Sequence, residues 1–379
     1  MAETKSVELL TGNEAVSEAV LRARPDVIAV YPITPSTHIA EMLAQAVEAG
    51  KIDAEFVKVE SEHSAMATCM GVVAAGGRTF TATAAQGLMY MAENVFWAGY
   101  GRLPMVAAVV NRALAPGWSI WVDHQDTMAM RDSGWGQIYA KNNQEAFDSV
   151  LQAYKIAENH DVYFPFMVTL DGFVLSHTAS EVELLTQEEV DEFLPPFEPM
   201  FKLHPSNPMS YGAISLPDEY IALREDLMKS MERAKKVIQD VNDEFAKKFG
   251  RDWGGLIEVT GEEDAEVGIV TMSTIAEESE VAAEMLTKEG IPTSVTRVRV
   301  FRPFPKEVLV EQLKKYDKIV IIDRSMSFGH AGPLYLETSS AMRELGAIDT
   351  KIYPTVMGLG GQDVSYKDII QRVKSLIKS

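Results

Sequence analysis

Short, β-branched apolar runs that alternate with amphipathic helical segments constrain this chain more than any other feature. The runs "DVIAVY" (26 to 31), "EFVKV" (55 to 59), "RTFTAT" (78 to 83), "PMVAAVV" (104 to 110), "GQIYA" (136 to 140) and "PFMVTL" (165 to 170) have the length and composition of buried strands. Helical patterns at about 12 to 23, 37 to 49, 61 to 75, 86 to 100 and 143 to 159 separate most of them. This alternation predicts an α/β fold with a parallel sheet covered on both faces. The stretch "FLPPFEPMFKLHPSNPMSYG" then carries too many prolines for a regular element and reads as an extended connection. A long charged helix follows, with an apolar stripe through Leu227, Met231, Ala234, Val237 and Val241 to lay against the first domain. Alternation restarts with "EVGIVTM" (266 to 272), "TSVTRVRV" (293 to 300), "KIVIID" (318 to 323) and "KIYPTV" (351 to 356), which predicts a second, smaller α/β domain.

Composition narrows the partners. With 35 basic against 55 acidic residues the formal charge is -20, a surface that repels nucleic acid and anionic lipid. No apolar run approaches the roughly 20 residues needed to cross a bilayer, and the acidic start "MAETKSVELLTGNEAV" has no signal-peptide core, so a cytoplasmic protein is expected. Cys69 is the only cysteine, which excludes an internal disulfide, a four-cysteine zinc site or an iron–sulfur cluster held by this chain.

Five segments carry candidate chemistry. In "YPITPST" (31 to 37) two prolines stiffen a loop that leaves a strand's carboxyl end, where open α/β sheets bind ligands; the competing reading is a turn with Ser36 or Thr37 as helix N-cap. Glu62, in "VKVESEHSAMA", falls in the first turn of a helix; it is either a residue matched to the helix dipole or a carboxylate facing a cofactor nitrogen. Arg112 follows the fourth strand, suited to gripping a carboxylate or to a structural ion pair. The Asp123, His124 and Asp126 cluster matches no common metal spacing, and "GLGGQDV" (358 to 364) lacks the lysine and hydroxyl of a phosphate loop and reads as a turn.

Taken together, "GNEAVSEAVLRARPDVIAVYPITPST", "VKVESEHSAMATCMGVVAAGGRTFTATAAQGL", "PMVAAVVNRAL", "DHQDTMAMRDSGWGQIYAKNNQEAFD", "FRPFP" and "GLGGQDV" resemble, in order over nearly the full length, the alpha subunit of the 2-oxoacid:ferredoxin oxidoreductases, in the pyruvate branch. The resemblance implies that residues 1 to about 255 form the pyrimidine-binding domain of a thiamine diphosphate enzyme, and that residues from about 260 to 379 form a domain like the carboxyl-terminal domain of transketolases. It implies that Glu62 hydrogen-bonds the N1′ nitrogen of the aminopyrimidine and that Thr34 and Arg112 face the 2-oxoacid. Ile120 is the residue it assigns to supporting the bent cofactor. The implied reaction is the reversible oxidative decarboxylation of pyruvate, with coenzyme A taking the acyl group and electrons passing to ferredoxin or flavodoxin. The chain has no "GDG" motif. The resemblance therefore leaves Mg2+ and the diphosphate to a beta subunit and the [4Fe-4S] clusters to partner subunits, with gamma and ferredoxin-like delta subunits completing the complex.

Threonine at position 34 fits pyruvate, where an arginine would suit the second carboxylate of oxalate. Branched-chain 2-oxoacid enzymes share nearly all these motifs and stay the alternative, beside a non-catalytic scaffold subunit of such a complex. Trp118 stands where the family usually has a smaller aliphatic residue, and a bulky indole there favours a small substrate.

Overall fold

The computed structural model describes residues 6–378. Its strands, in chain order, are β1 (Ser6–Thr11), β2 (Val27–Val30), β3 (Glu55–Lys58), β4 (Thr79–Thr83), β5 (Val106–Asn111), β6 (Gly136–Tyr139), β7 (Phe166–Asp171), β8 (Ala179–Leu184), β9 (Ile257–Gly261), β10 (Val267–Thr271), β11 (Thr293–Val298), β12 (Val300–Arg302), β13 (Lys318–Asp323) and β14 (Lys351–Val356). The first sheet has the order β12-β6-β7-β5-β4-β2-β3 and the second β14-β13-β10-β11-β9. Each is parallel except for one antiparallel edge strand, β12 and β9 respectively. A two-stranded antiparallel ribbon, β1 with β8, completes the set.

Alternation along β5 shows why the first sheet is covered on both faces. Val106, Ala108 and Val110 join a core with the helices Gly12–Ala23 and Asn143–Ala157. Ala107 and Val109 point the other way, into a core with the helices Glu62–Ala75 and Ala92–Tyr100. Successive strand side chains alternate faces, so an uninterrupted apolar strand needs a helical layer on each side. The helix Pro217–Phe249 buries Leu227, Ala234 and Val241 against the first of these cores, with Met231 and Val237 partly buried beside them.

Three expectations are revised. The helical pattern at 86 to 100 is two helices, Ala85–Tyr90 and Ala92–Tyr100, which meet at Met91. "TSVTRVRV" is not one strand: it breaks at Arg299, and β12 crosses to pair with β6 of the first sheet. Two buried ion pairs flank the break. Arg297 and Arg299, both fully buried, converge on the buried Glu145 of the helix Asn143–Ala157, each through a 2.7 Å ion pair. Burial alone would raise the Glu145 carboxyl, but the two guanidiniums hold it below its ordinary range. Finally, β1, β8 and the helix Gln187–Phe193 lie in stretches where no element was expected.

Candidate active site

Glu62 opens the helix Glu62–Ala75, whose N-cap Ser61 accepts a hydrogen bond from the Ser64 N–H (3.2 Å). The residue is 6% exposed, and among the described residues its carboxylate accepts no hydrogen bond and forms no ion pair. The helix N-terminus offsets part of the cost of holding a charge there; an unmatched near-buried carboxylate still costs stability and so invites a donor from outside the chain. Gly87 makes room for it. A Cβ at position 87 would stand 2.6 Å from Glu62 Oε1 and 2.5 Å from Thr83 Oγ1, a hydroxyl that is itself buried without a partner.

Arg112 leaves the end of β5 and is 4% exposed. Its Nη1 donates to the carbonyl of Thr34 (2.8 Å) and its Nη2 to Gln86 Oε1 (2.6 Å), while Nε is buried with no partner. No ion pair forms at Arg112 among the described residues. Burial draws the guanidinium below its ordinary range, and the negative charges of Asp126 and Glu62 draw it back. Arg112 thus fastens the "YPITP" loop to the helix that starts at Ala85, beside Glu62. The same loop is held from behind, where Asn13 Nδ2 donates to the Pro35 carbonyl (2.8 Å). Ser36 occupies the N-cap position of the helix Thr37–Glu48 but makes no side-chain cap; its hydroxyl donates back to Ile33 O (2.8 Å). Thr34 is exposed, and among the described residues its hydroxyl has no hydrogen bond.

Asp126 organises this arrangement, and sequence reading missed it. Fully buried, it accepts hydrogen bonds from Asn111 Nδ2 (2.8 Å) and from the N–H groups of Thr127 (2.8 Å), Arg112 (3.1 Å) and Ala85 (3.1 Å). Burial pushes its carboxyl up to about 6 against these four donors. Ala85 takes a left-handed φ of 40°, a conformation unfavourable for alanine, and its N–H bond to Asp126 helps hold it. One carboxylate therefore sets both the backbone of Arg112 and the turn that carries Gln86 and Gly87. The signal for it was present in "DHQD", where an aspartate in a candidate site loop had been considered only as a metal ligand; among the described residues no group of three His, Cys, Asp or Glu side chains could hold a metal ion.

Ile120 stands apart from the other three. It is 42% exposed on the loop after β5, with Trp118 at 77% and Trp121 at 49%. The Trp118 ring lies 5.8 Å from the Arg112 guanidinium carbon, which is the loop's contact with the site. Its base rests on the second half of the chain. Ser119 Oγ donates to Gly360 O (3.2 Å), and Gly361 N–H donates to Val122 O (2.8 Å). The "GLGG" turn, a short 3-10 helix Leu359–Gly361 ahead of the final helix Tyr366–Ile377, is thus a rest for this loop. Nearby, Asp171 at the end of β7 binds Arg324, just after β13, at 2.5 Å, together with His124 at 2.8 Å and the Thr274 hydroxyl. Burial would raise Asp171, but Arg324 and His124 hold it well below the usual carboxylate range. The carboxyl ends of β7 and β13 are joined at this cluster.

The unmatched Glu62 carboxyl group and the side-chain-free space at Gly87 fit the aminopyrimidine of thiamine diphosphate, whose N1′ nitrogen can share a proton with a carboxyl group. Comparison with known proteins identifies the family. Residues 18–243 match the family described as pyruvate flavodoxin/ferredoxin oxidoreductase, thiamine diphosphate-binding, and residues 265–369 match pyruvate:ferredoxin oxidoreductase core domain II. The chain is 47% identical over 366 residues to pyruvate synthase subunit PorA of Methanocaldococcus jannaschii, covering 96% of this chain and 93% of that one. It is 44% identical over 385 residues to ketoisovalerate oxidoreductase subunit VorA of Pyrococcus abyssi, covering 100% and 96%. Among solved structures, 2-oxoglutarate:ferredoxin oxidoreductase from Magnetococcus marinus superposes with a TM-score of 0.73 at 18% identity, over 97% of this chain and 65% of that chain. A split gene transketolase superposes with a TM-score of 0.59 at 15% identity, over 97% and 98%. These two likenesses are of fold, a thiamine diphosphate-binding module followed by a transketolase carboxyl-terminal-like module. By sequence over both modules, the chain belongs to the pyruvate flavodoxin/ferredoxin oxidoreductase family.

Proposed function

We propose that this chain is the alpha subunit of a pyruvate:ferredoxin oxidoreductase, acting in the cytoplasm and only with partner subunits. The observation that carries the proposal is the near-buried, unpartnered Glu62 carboxylate beside an arginine with a free buried donor, in a chain 47% identical to a pyruvate synthase subunit. Residues 1 to about 255 act as the pyrimidine-binding domain and those from about 260 as the transketolase-like domain. Thiamine diphosphate, when bound, supplies the carbanion chemistry that decarboxylation of a 2-oxoacid requires.

The chain's own residues supply position and field. Glu62 would share the proton of a hydrogen bond with the N1′ nitrogen of the aminopyrimidine, and Ile120 would support the cofactor from the loop. Arg112 receives the substrate carboxylate at its unpartnered Nε. Because Nη1 and Nη2 are already engaged, the guanidinium is fixed before substrate arrives, and little orientation is lost on binding. Thr34 presents a free hydroxyl to the substrate, on a loop that Arg112 and Asn13 hold in place. A beta subunit brings Mg2+ and the diphosphate site, gamma and delta subunits complete the complex with [4Fe-4S] clusters, coenzyme A takes the acyl group, and ferredoxin or flavodoxin takes the electrons. The 44% identity to a ketoisovalerate oxidoreductase subunit supports a second reading, with branched-chain 2-oxoacids as substrates.

Anaerobic isolation of the complex through this chain, followed by dye reduction with a panel of 2-oxoacids with and without coenzyme A, tests the proposal. Coenzyme A-dependent reduction fastest with pyruvate is the expected result. Preference for 2-oxoisovalerate transfers the assignment to the second reading. No reduction by any 2-oxoacid, from a complex that holds cofactor and clusters, overturns both and leaves a scaffold subunit.

A further inference from the structure

Trp118 and the glycine turn of the second module are not used by the function proposed above, yet the indole lies near the substrate arginine and the turn holds the loop that carries it. We infer that Trp118 is the specificity-determining wall of the 2-oxoacid site, and that Gly360 and Gly361 are positioning residues that hold it over Arg112. The inference rests on the assignment of Arg112 to the substrate carboxylate.

Two observations carry it. First, the guanidinium carbon lies 5.8 Å from the centre of the Trp118 ring, so a large apolar side chain stands beside the substrate arginine, and its bulk limits what fits next to a bound carboxylate. A two-carbon remainder such as that of pyruvate adds one methyl group to the reacting carbonyl; a branched-chain acid adds three carbons that must share this space. Second, the loop that carries Trp118 is tied down on either side of it. Its entry is closed by the Ala113 N–H bond to Trp121 O (2.9 Å), its exit by the Gly361 N–H bond to Val122 O (2.8 Å), and its middle by Ser119 on Gly360. Trp121 is wedged against Phe173, with ring centroids 4.5 Å apart. Gly361, at φ 78°, admits no other residue: a Cβ there would overlap the Trp121 side chain, and the conformation itself disfavours one. The wall therefore stands on a rest built by the other module, and the spacing between indole and guanidinium is set by tertiary structure.

The test compares kcat/KM for pyruvate and 2-oxoisovalerate in the anaerobically isolated complex carrying wild-type chain, Trp118→Leu or Gly361→Ala. Trp118 is exposed, so its replacement leaves the fold intact. In Trp118→Leu the pyruvate to 2-oxoisovalerate ratio should fall by about tenfold or more, the effect of one or more methylene groups admitted to an apolar pocket, with the change mainly in the KM for 2-oxoisovalerate. Gly361→Ala should shift the ratio in the same direction, which a purely structural role would not do. Calorimetry on the isolated complex should show the matching change, a lower Kd for 2-oxoisovalerate in Trp118→Leu than in wild type. A ratio within twofold of wild type for Trp118→Leu, in a complex that still oxidises pyruvate, overturns the inference. So does a wild-type complex that prefers 2-oxoisovalerate, which leaves the enzyme class standing; a wild-type complex inactive on every 2-oxoacid refutes the function proposed above.

Discussion

Arg112 shows how much of this site depends on which donors are already engaged. Two of its three nitrogens bind the Thr34 carbonyl and Gln86, and the third is buried and free. Lysine presents a point charge with no planar fork, so Arg112→Lys cannot keep both tethers and still offer a donor to substrate. The KM for the 2-oxoacid should rise by about ten- to a hundredfold, the equivalent of about 1.5–3 kcal/mol for a charge-assisted hydrogen bond, as steady-state dye reduction will show. Asp126 adds a pH dependence. Its folded value, about 6, lies above its ordinary 3.8, so the folded chain holds a proton that the unfolded chain has released, and ionising Asp126 lowers stability as pH rises through that window. Protonation in turn aims an O–H at four donors, loosening Arg112. The KM should therefore rise as pH falls through about 6, and Asp126→Asn, which keeps one acceptor oxygen, should show the raised KM at neutral pH with that dependence gone. An unchanged KM in Asp126→Asn contradicts the role given to this carboxylate.

At the scale of elements, the helices and strands that were legible are those whose side chains report burial by their period. β5 is apolar on both faces because both faces are covered, and the stripe of the helix Pro217–Phe249 repeats where it meets the core. The ribbon of β1 and β8 was not legible, since of its residues only Val182 and Leu184 are buried, too few to mark a strand by period. The break at Arg299 was hidden for another reason: the partner of Arg299 there, Glu145, lies 154 residues away in sequence. In the candidate site, Glu62, Thr34 and Arg112 were marked by motif, whereas Gly87 looked like any glycine of a helical segment. Its role is the space it leaves, so Gly87→Ala should push the Glu62 carboxylate aside. A loss of about a hundredfold in kcat is expected, the cost of an ångström-scale misplacement, with a circular dichroism spectrum like that of the wild type. Full activity in Gly87→Ala contradicts that packing.

For the whole molecule, two buried ionic clusters join the halves of the chain. Glu145 holds Arg297 and Arg299 at the crossing into the first sheet, and Asp171 holds Arg324 where the strand ends converge. Both carboxyls lie below their ordinary values, so near pH 4 the unfolded chain binds more protons, and stability is lost as pH falls below the usual carboxylate range. Glu145→Gln should cost about 3–5 kcal/mol, because it strands two buried guanidiniums, and should flatten the loss of Tm below about pH 5; a Tm and pH profile matching the wild type contradicts this account of the junction. The joined halves leave the Glu62 carboxylate near-buried and, among the described residues, without a hydrogen bond or ion pair, as the proposed cofactor role requires. The most direct test is turnover by Glu62→Gln in the isolated complex, with thiamine diphosphate content and subunit composition measured on the same sample. A loss of a thousandfold or more, about 4 kcal/mol of barrier, in an assembled complex is the predicted result; turnover within tenfold of wild type contradicts the assignment of this carboxylate to the cofactor.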